Sequence, residues 1–374
     1  MKKNLLLIAA ILLFASITFG QELQKEFDAA LKFVDSRNYT EAIDRLNKIN
    51  TKWKDVPQVK YYLGVCYSNL KMRNDAIFAY QEAIRLKPDF YLAHVQLGNE
   101  LDYEDRYDEA IASYNRAIKL KPEEASAYFE IGIAQRRKGR NADAEKSFRN
   151  VILLAPNYSP GHVNLGVALI ALNRSSEAVP ALQKALSLAG DKDLEAHRQL
   201  GNAYTSIGRY TEAITEYKKV ISLDPNYADA YYGLGNVYFK QKQYPSAIIE
   251  YQKAIELNPR WKDANTALGN SFYNTAFYDK ALTAYQIAVD NGEDNKDTLY
   301  FLGVCYVKER NRFKLMMAKP SFRSLTAEKK AEITSTIATY ESKATELVAK
   351  LLPIDAVSSK KLNTMLNGVA RKSK

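Results

Sequence analysis

Eight glycines of this chain fall on one ruler. Stepping by 34 residues from Gly64 reaches Gly98, Gly132 and Gly166; after one inserted residue, the same step runs Gly201, Gly235, Gly269 and Gly303. Twelve residues beyond each of the first seven stands an alanine: Ala76, Ala110, Ala144, Ala178, Ala213, Ala247 and Ala281. Four further on comes a large side chain: Tyr80, Tyr114, Phe148, Leu182, Tyr217, Tyr251 or Tyr285. A leading unit carries Ala30 and Ala42 in the glycine and alanine slots. A period between roughly 20 and 50 residues marks stacked supersecondary units, so a length of 374 residues does not convert into a count of globular domains.

Units close on Pro88, Pro122, Pro156, Pro225 and Pro259. Proline has no N–H to continue a helix, and each of these residues reads as a helix stop. Between the stops, apolar and small residues recur at helical spacing, as in Leu234, Tyr238, Ala247, Tyr251 and Ala254. The unit is therefore helix, turn, helix, turn. Glycine and alanine mark close approaches of helix axes, and bulky side chains fill what remains, which begins to account for the 26 tyrosines.

The units LGNAYTSIGRYTEAITEYKKVISLDP (200–225) and LGNVYFKQKQYPSAIIEYQKAIELNP (234–259) carry a leucine–glycine pair, an aromatic three residues on, two alanines or their substitutes, and a closing proline. This pattern resembles the tetratricopeptide repeat (TPR) family over about 22–318. The resemblance implies an all-α fold, a right-handed α-solenoid of about nine helix-turn-helix units over 21–318. Two departures stand out. Gln135 replaces the aromatic of the fourth unit, and the fifth ends at Gly190 with an extra residue, predicting an irregular joint near 186–194. Past the glycine of the ninth unit the register fades, with Leu315 where alanine belongs and Pro320 after it. Ile333, Ile337, Tyr340, Ala344, Leu347 and Leu351 then form one apolar stripe, predicting a capping helix within 319–352. The sharper reading of that stripe is a helix offered to a partner. The remainder, 353–374, reads as a solvated basic tail.

Residues 1–20, MKKNLLLIAAILLFASITFG, have two lysines, a short apolar run and small residues before Gln21. That is the layout of a bacterial signal peptide cleaved after Gly20, with an uncleaved anchor as the alternative. No further apolar run approaches a membrane span. The expected location is outside the cytoplasm, in the periplasm or peripheral to the cell envelope. The net charge of +10 includes Lys2, Lys3 and a surplus of four on 353–374, leaving about +4 on 21–352. With no basic stripe and an exported chain, nucleic acid is not the expected partner.

Chemistry-bearing residues follow the repeat. Cys66 and Cys305 share the slot two after the glycine, seven units apart, and read as buried packing residues. His94, His162 and His197 share the slot four before it, which is not a metal-ligand spacing. No nucleophile elbow, P-loop or zinc-protease motif occurs, so no enzyme, metal or cofactor is expected. The resemblance implies that the first helix of each unit lines a concave groove for a protein or extended peptide. The slot after the glycine holds Asn99, Asn202, Asn236 and Asn270, a candidate ladder of carboxamides for a peptide backbone. Arg198, Tyr232 and Tyr300, three before the glycine, occupy another inward slot. Glu195, Asp229, Asp263 and Asp297 recur at the starts of these helices, where they favour the helix dipole or form an acidic rim for a basic segment. The carboxylate clamp of some TPR adaptors is not expected, because Gly233, Asp263 and Ala267 stand in its remaining slots. The function these features point to is a non-catalytic scaffold binding its partner in the groove. The alternative is an accessory subunit of an envelope or cell-wall assembly or secretion complex, docked through the C-terminal helix.

Overall fold

A computed structural model describes residues 20–368, so the expected signal peptide lies outside the described residues except for Gly20. The described residues form helices and connecting turns, with no strand. They divide into two compact units at Leu188/Ala189, inside the segment that carries the extra residue of the repeat. The first unit holds α1 (20–35), α2 (Tyr39–Lys52), α3 (Pro57–Asn69), α4 (Arg73–Leu86), α5 (Tyr91–Tyr103), α6 (Tyr107–Leu120), α7 (Ala125–Arg137), α8 (Asn141–Leu154), α9 (Ser159–Ala171) and α10 (Ser175–Ala189). The second holds α11 (Leu194–Ser206), α12 (Tyr210–Leu223), α13 (Ala228–Lys240), α14 (Tyr244–Leu257), α15 (Lys262–Asn274), α16 (Tyr278–Asp290), α17 (Lys296–Met317), α18 (Pro320–Arg323), α19 (Ala327–Leu351) and α20 (Ala356–Gly368).

Each unit is an α-solenoid in which helices pack in sequence order, α3 on α4 on α5 and α11 on α12 on α13. First helices of successive pairs also meet, α5 with α7 and α7 with α9, α11 with α13 and α13 with α15. Second helices make no comparable approach, so within each unit the first helices lie on the inner side of the curve.

The glycine ruler has a steric origin. A Cβ on Gly64 would lie 2.5 Å from the Tyr80 ring, on Gly98 2.5 Å from Tyr114, on Gly235 2.7 Å from Tyr251, and on Gly269 2.7 Å from Tyr285. The large side chain of each second helix lies flat on the bare backbone of its first helix, and all seven alanines of the ruler are fully buried beside these contacts. The turn between the two helices is equally regular. The residue seven after the glycine is left-handed at Lys71, Asp105, Gly139, Asn173, Gly208, Lys242 and Ala276, with φ between 57° and 78°. The next N–H returns to the first helix, as in Gln243 to the Tyr238 carbonyl (2.9 Å) and Phe277 to that of Phe272 (3.0 Å). That is the closure of a Schellman-type C-cap.

The ninth unit departs from the rule. Gly303 receives Leu362 of α20 instead of a side chain from a following second helix. The segment 353–374, expected to be a solvated tail, therefore folds over Ala356–Gly368, with Leu362 fully buried. The physical reason is the vacancy opposite Gly303, since α17 runs on without a turn and brings no tyrosine back. The stripe of α19 packs against α17, burying Ile337, Ala344, Leu347 and Leu351. Buried Arg310 fastens the cap, donating to the Leu366 carbonyl at 3.0 Å and facing Glu341 at 3.6 Å. Thus α19 and α20 together close the second unit.

Candidate functional site

The asparagine slot has a structural duty that the sequence reading did not include. Tyr114 donates to Oδ1 of Asn99 (2.7 Å), Tyr217 to Asn202 (2.6 Å), Tyr251 to Asn236 (2.7 Å) and Tyr285 to Asn270 (2.6 Å). Each carboxamide thus satisfies the hydroxyl of a buried ring, which would otherwise lie orphaned against the glycine. The amide hydrogens are what remain for a partner. Those of Asn99 and Asn202 turn to Gln96 (3.3 Å) and Gln199 (3.1 Å) on their own helices, and Asn236 also engages the Tyr232 hydroxyl. The Asn270 amide nitrogen has no partner among the described residues. The ladder is a set of donors, mostly shared.

Arg198 is likewise engaged, holding Glu195 through two bonds of 2.9 and 2.7 Å. Burial works to raise the Glu195 carboxyl, yet Arg198 and Gln199 outweigh it and keep the group below its ordinary range. Glu195, Asp229, Asp263 and Asp297 all stand in first turns, of α11, α13, α15 and α17, where the helix dipole favours them.

Three of the seven groove residues converge. Tyr232, Asn236 and Asn270 line a cavity of about 250 Å³ together with Phe239, Tyr251, Asp263, Thr266, Ala267, Glu293 and Asn295. Tyr232 is held in place by Trp261, ring centroids 4.6 Å apart, and burial raises its hydroxyl above the ordinary tyrosine value. Tyr300 faces elsewhere, into a cavity of about 710 Å³ bounded by α20 through Ala356, Val357, Lys360, Lys361, Thr364 and Met365. Arg198 and Asn202 border neither cavity, and Asn99 belongs to the first unit. Glu293 escaped the sequence reading. It stands ten before Gly303, where Pro225 and Pro259 stand relative to their own glycines, so the broken proline register was its only signal.

The histidine slot is also structural. His94 and His162 reach the carbonyls of Pro88 (2.9 Å) and Pro156 (2.8 Å), as Tyr231 reaches that of Pro225 (3.1 Å). His197 lies between Glu216 (2.6 Å) and Asp191 (3.0 Å). Cys66 and Cys305 are buried and unpaired; burial pushes their thiols up to about 11 and about 12.

Family models described as TPR repeat match 103–139 and 201–242, and models described as tetratricopeptide repeat match 57–90, 125–158, 160–192, 228–260 and 266–314. No curated protein is similar enough in sequence to match. Among solved structures, a tetratricopeptide repeat protein from Parabacteroides merdae aligns at 16% identity over 67% of this chain and 98% of its own, with a TM-score of 0.58. The C-terminal part of a TPR repeat-containing protein from Cytophaga hutchinsonii aligns at 20% identity over 65% and 99%, with a TM-score of 0.53. YrrB, described as a TPR protein with an unusual peptide-binding site, aligns at 27% identity over 50% and 97%, with a TM-score of 0.43. The chain belongs to the tetratricopeptide repeat family. Proteins of this family are in general non-catalytic scaffolds for protein–protein interaction, and the repeats of this chain support an interaction scaffold.

Proposed function

We propose that the chain holds an extended segment of a protein partner along the first-helix face of its second unit, and that it does so outside the cytoplasm, at the cell envelope. The observation carrying the first part is the cavity where Tyr232, Asn236 and Asn270 converge on the inner side of α13 and α15. It combines aromatic walls with amide donors, the mixture that fixes an extended chain without demanding one sequence. Support for export is the composition of residues 1–20 alone. Docking through the C-terminal helix is the weaker reading, because the α19 stripe is already spent on α17.

The test is Ala267→Arg in the full chain. Ala267 is half-buried on the cavity wall, so the new side chain fills the space and meets Asp263 and Glu293 without entering the core. Capture of the partner from envelope extract should drop at least tenfold while the melting temperature holds. Undiminished capture would refute the groove reading.

A further inference from the structure

The cavity wall holds a carboxylate with one oxygen to spare. Glu293 is 6% exposed, in the turn between α16 and α17. Its Oε1 accepts from the Asn295 backbone N–H (3.2 Å) and from Asn295 Nδ2 (2.7 Å), while Asn295 Oδ1 caps α17 by accepting from Thr298 N–H (2.9 Å). Oε2 has no hydrogen-bond partner, and Glu293 no ion pair, among the described residues. Capping alone does not require this arrangement, since a glutamine would supply the one oxygen that is used. Oε2 is left to the cavity, and none of the cavity-lining residues is a lysine or arginine that could pair with it. Asp263 adds a second negative charge to the same wall from the first turn of α15.

We propose that this cavity is a subsite for a single basic side chain, lysine or arginine, of the extended partner. The proposal rests on the groove reading and names the partner's chemistry at one position. The dimensions agree, because about 250 Å³ falls below the roughly 300–1,000 Å³ of sites for whole small ligands. The walls agree as well. Tyr232 and Phe239 offer ring surface to an alkyl stem or a guanidinium plane, and the charged tip meets Glu293 and Asp263. At two neighbouring unit ends the slot of Glu293 holds proline, and at a third it holds Asp191, which is exposed and paired with Lys219 and His197, so the subsite belongs to one place on the inner face and fixes the register of the bound segment.

The experiment selects random decapeptides on the immobilised full chain, then resynthesises the tightest binders with each basic residue changed to glutamine. Affinity is read by fluorescence anisotropy. The selected peptides should share one basic position, and its change to glutamine should weaken binding at least tenfold. Glu293→Gln should abolish that difference, leaving the basic and glutamine peptides equal, and Asp263→Asn, at an exposed residue, should reduce it. Helical circular dichroism of both variants should match the parent. Peptides that Ala267→Arg blocks but that share no basic position, or a preference surviving Glu293→Gln, would overturn the subsite and leave the groove reading standing. Peptides indifferent to Ala267→Arg, or no selected peptide at all, would overturn both. A simple diamine binding as tightly as the selected peptides would overturn the peptide assignment in favour of a free amine.

Discussion

The tyrosine hydroxyl and the asparagine carboxamide vary together along the chain. Four units have both. In the fourth, the two slots hold Ile133 and Phe148, and in the fifth, Val167 and Leu182, so the hydroxyl and the carboxamide are absent together; Val65 with Tyr80 is the exception. A buried hydroxyl left without a partner costs about 1–3 kcal/mol. Asn236→Ala should therefore lower stability by about that amount in urea unfolding, whereas Asn236→Asp, which keeps the acceptor for Tyr251, should cost less. Equal losses would show that the bond contributes little. The repeating asparagine was visible in the sequence, but its partner lies on the other helix of the pair, so its duty emerged only from packing. Alkaline pH probes the same rings. Burial pushes Tyr217 up to about 12 and raises Tyr80, Tyr114, Tyr251 and Tyr285 as well. The folded state then keeps protons that unfolded tyrosine, with its ordinary value of 10.0, gives up. Stability should be intact below about pH 9 and fall as pH rises through 10 to 12, by about 1 kcal/mol per buried tyrosine per pH unit. A urea midpoint unchanged from pH 8 to 11 would contradict this.

At the scale of the element, the left-handed residue seven after the glycine ends every first helix of the regular units, yet only two of those seven residues are glycine. Glycine adopts that conformation without steric cost, whereas a side chain pays about 1 kcal/mol or more. Ala276, at φ 61°, is the plainest case, and Ala276→Gly should raise stability by about 0.5–1 kcal/mol in the same assay. A loss would mean that the turn is stabilised by the alanine methyl instead. The C-terminal elements show the limit of reading by period. The stripe of α19 was legible because it repeats at helical spacing, but α20 was not, because its partner Gly303 lies 59 residues earlier and nothing in 353–374 repeats. Leu362→Ala should cost about 2–4 kcal/mol and speed amide exchange in α17. For the same reason, a chain cut near Lys319 would strip the cover from Cys305 and Tyr306, and loss of binding by it would say nothing about docking through the cap.

For the molecule as a whole, the repeat made the fold class readable because every unit restates the same steric bargain between a glycine and a ring. The proposed binding face was partly readable. Tyr232, Asn236 and Asn270 were placed by register, while Glu293 lay where the register breaks, which a search for recurrence passes over. Export is tested simply: the mature protein recovered from its native cell should begin at Gln21, and a chain beginning at Met1 would argue for a retained anchor. The central claim is that the inner face of the second unit captures the partner. Its most direct measurement is photocrosslinking in the intact cell, with benzoylphenylalanine at Phe239 on the cavity wall and, separately, at Ile249, which is 65% exposed on the second helix α14. A partner crosslinked from 239 and not from 249 is the predicted result; crosslinks from 249 alone would contradict it.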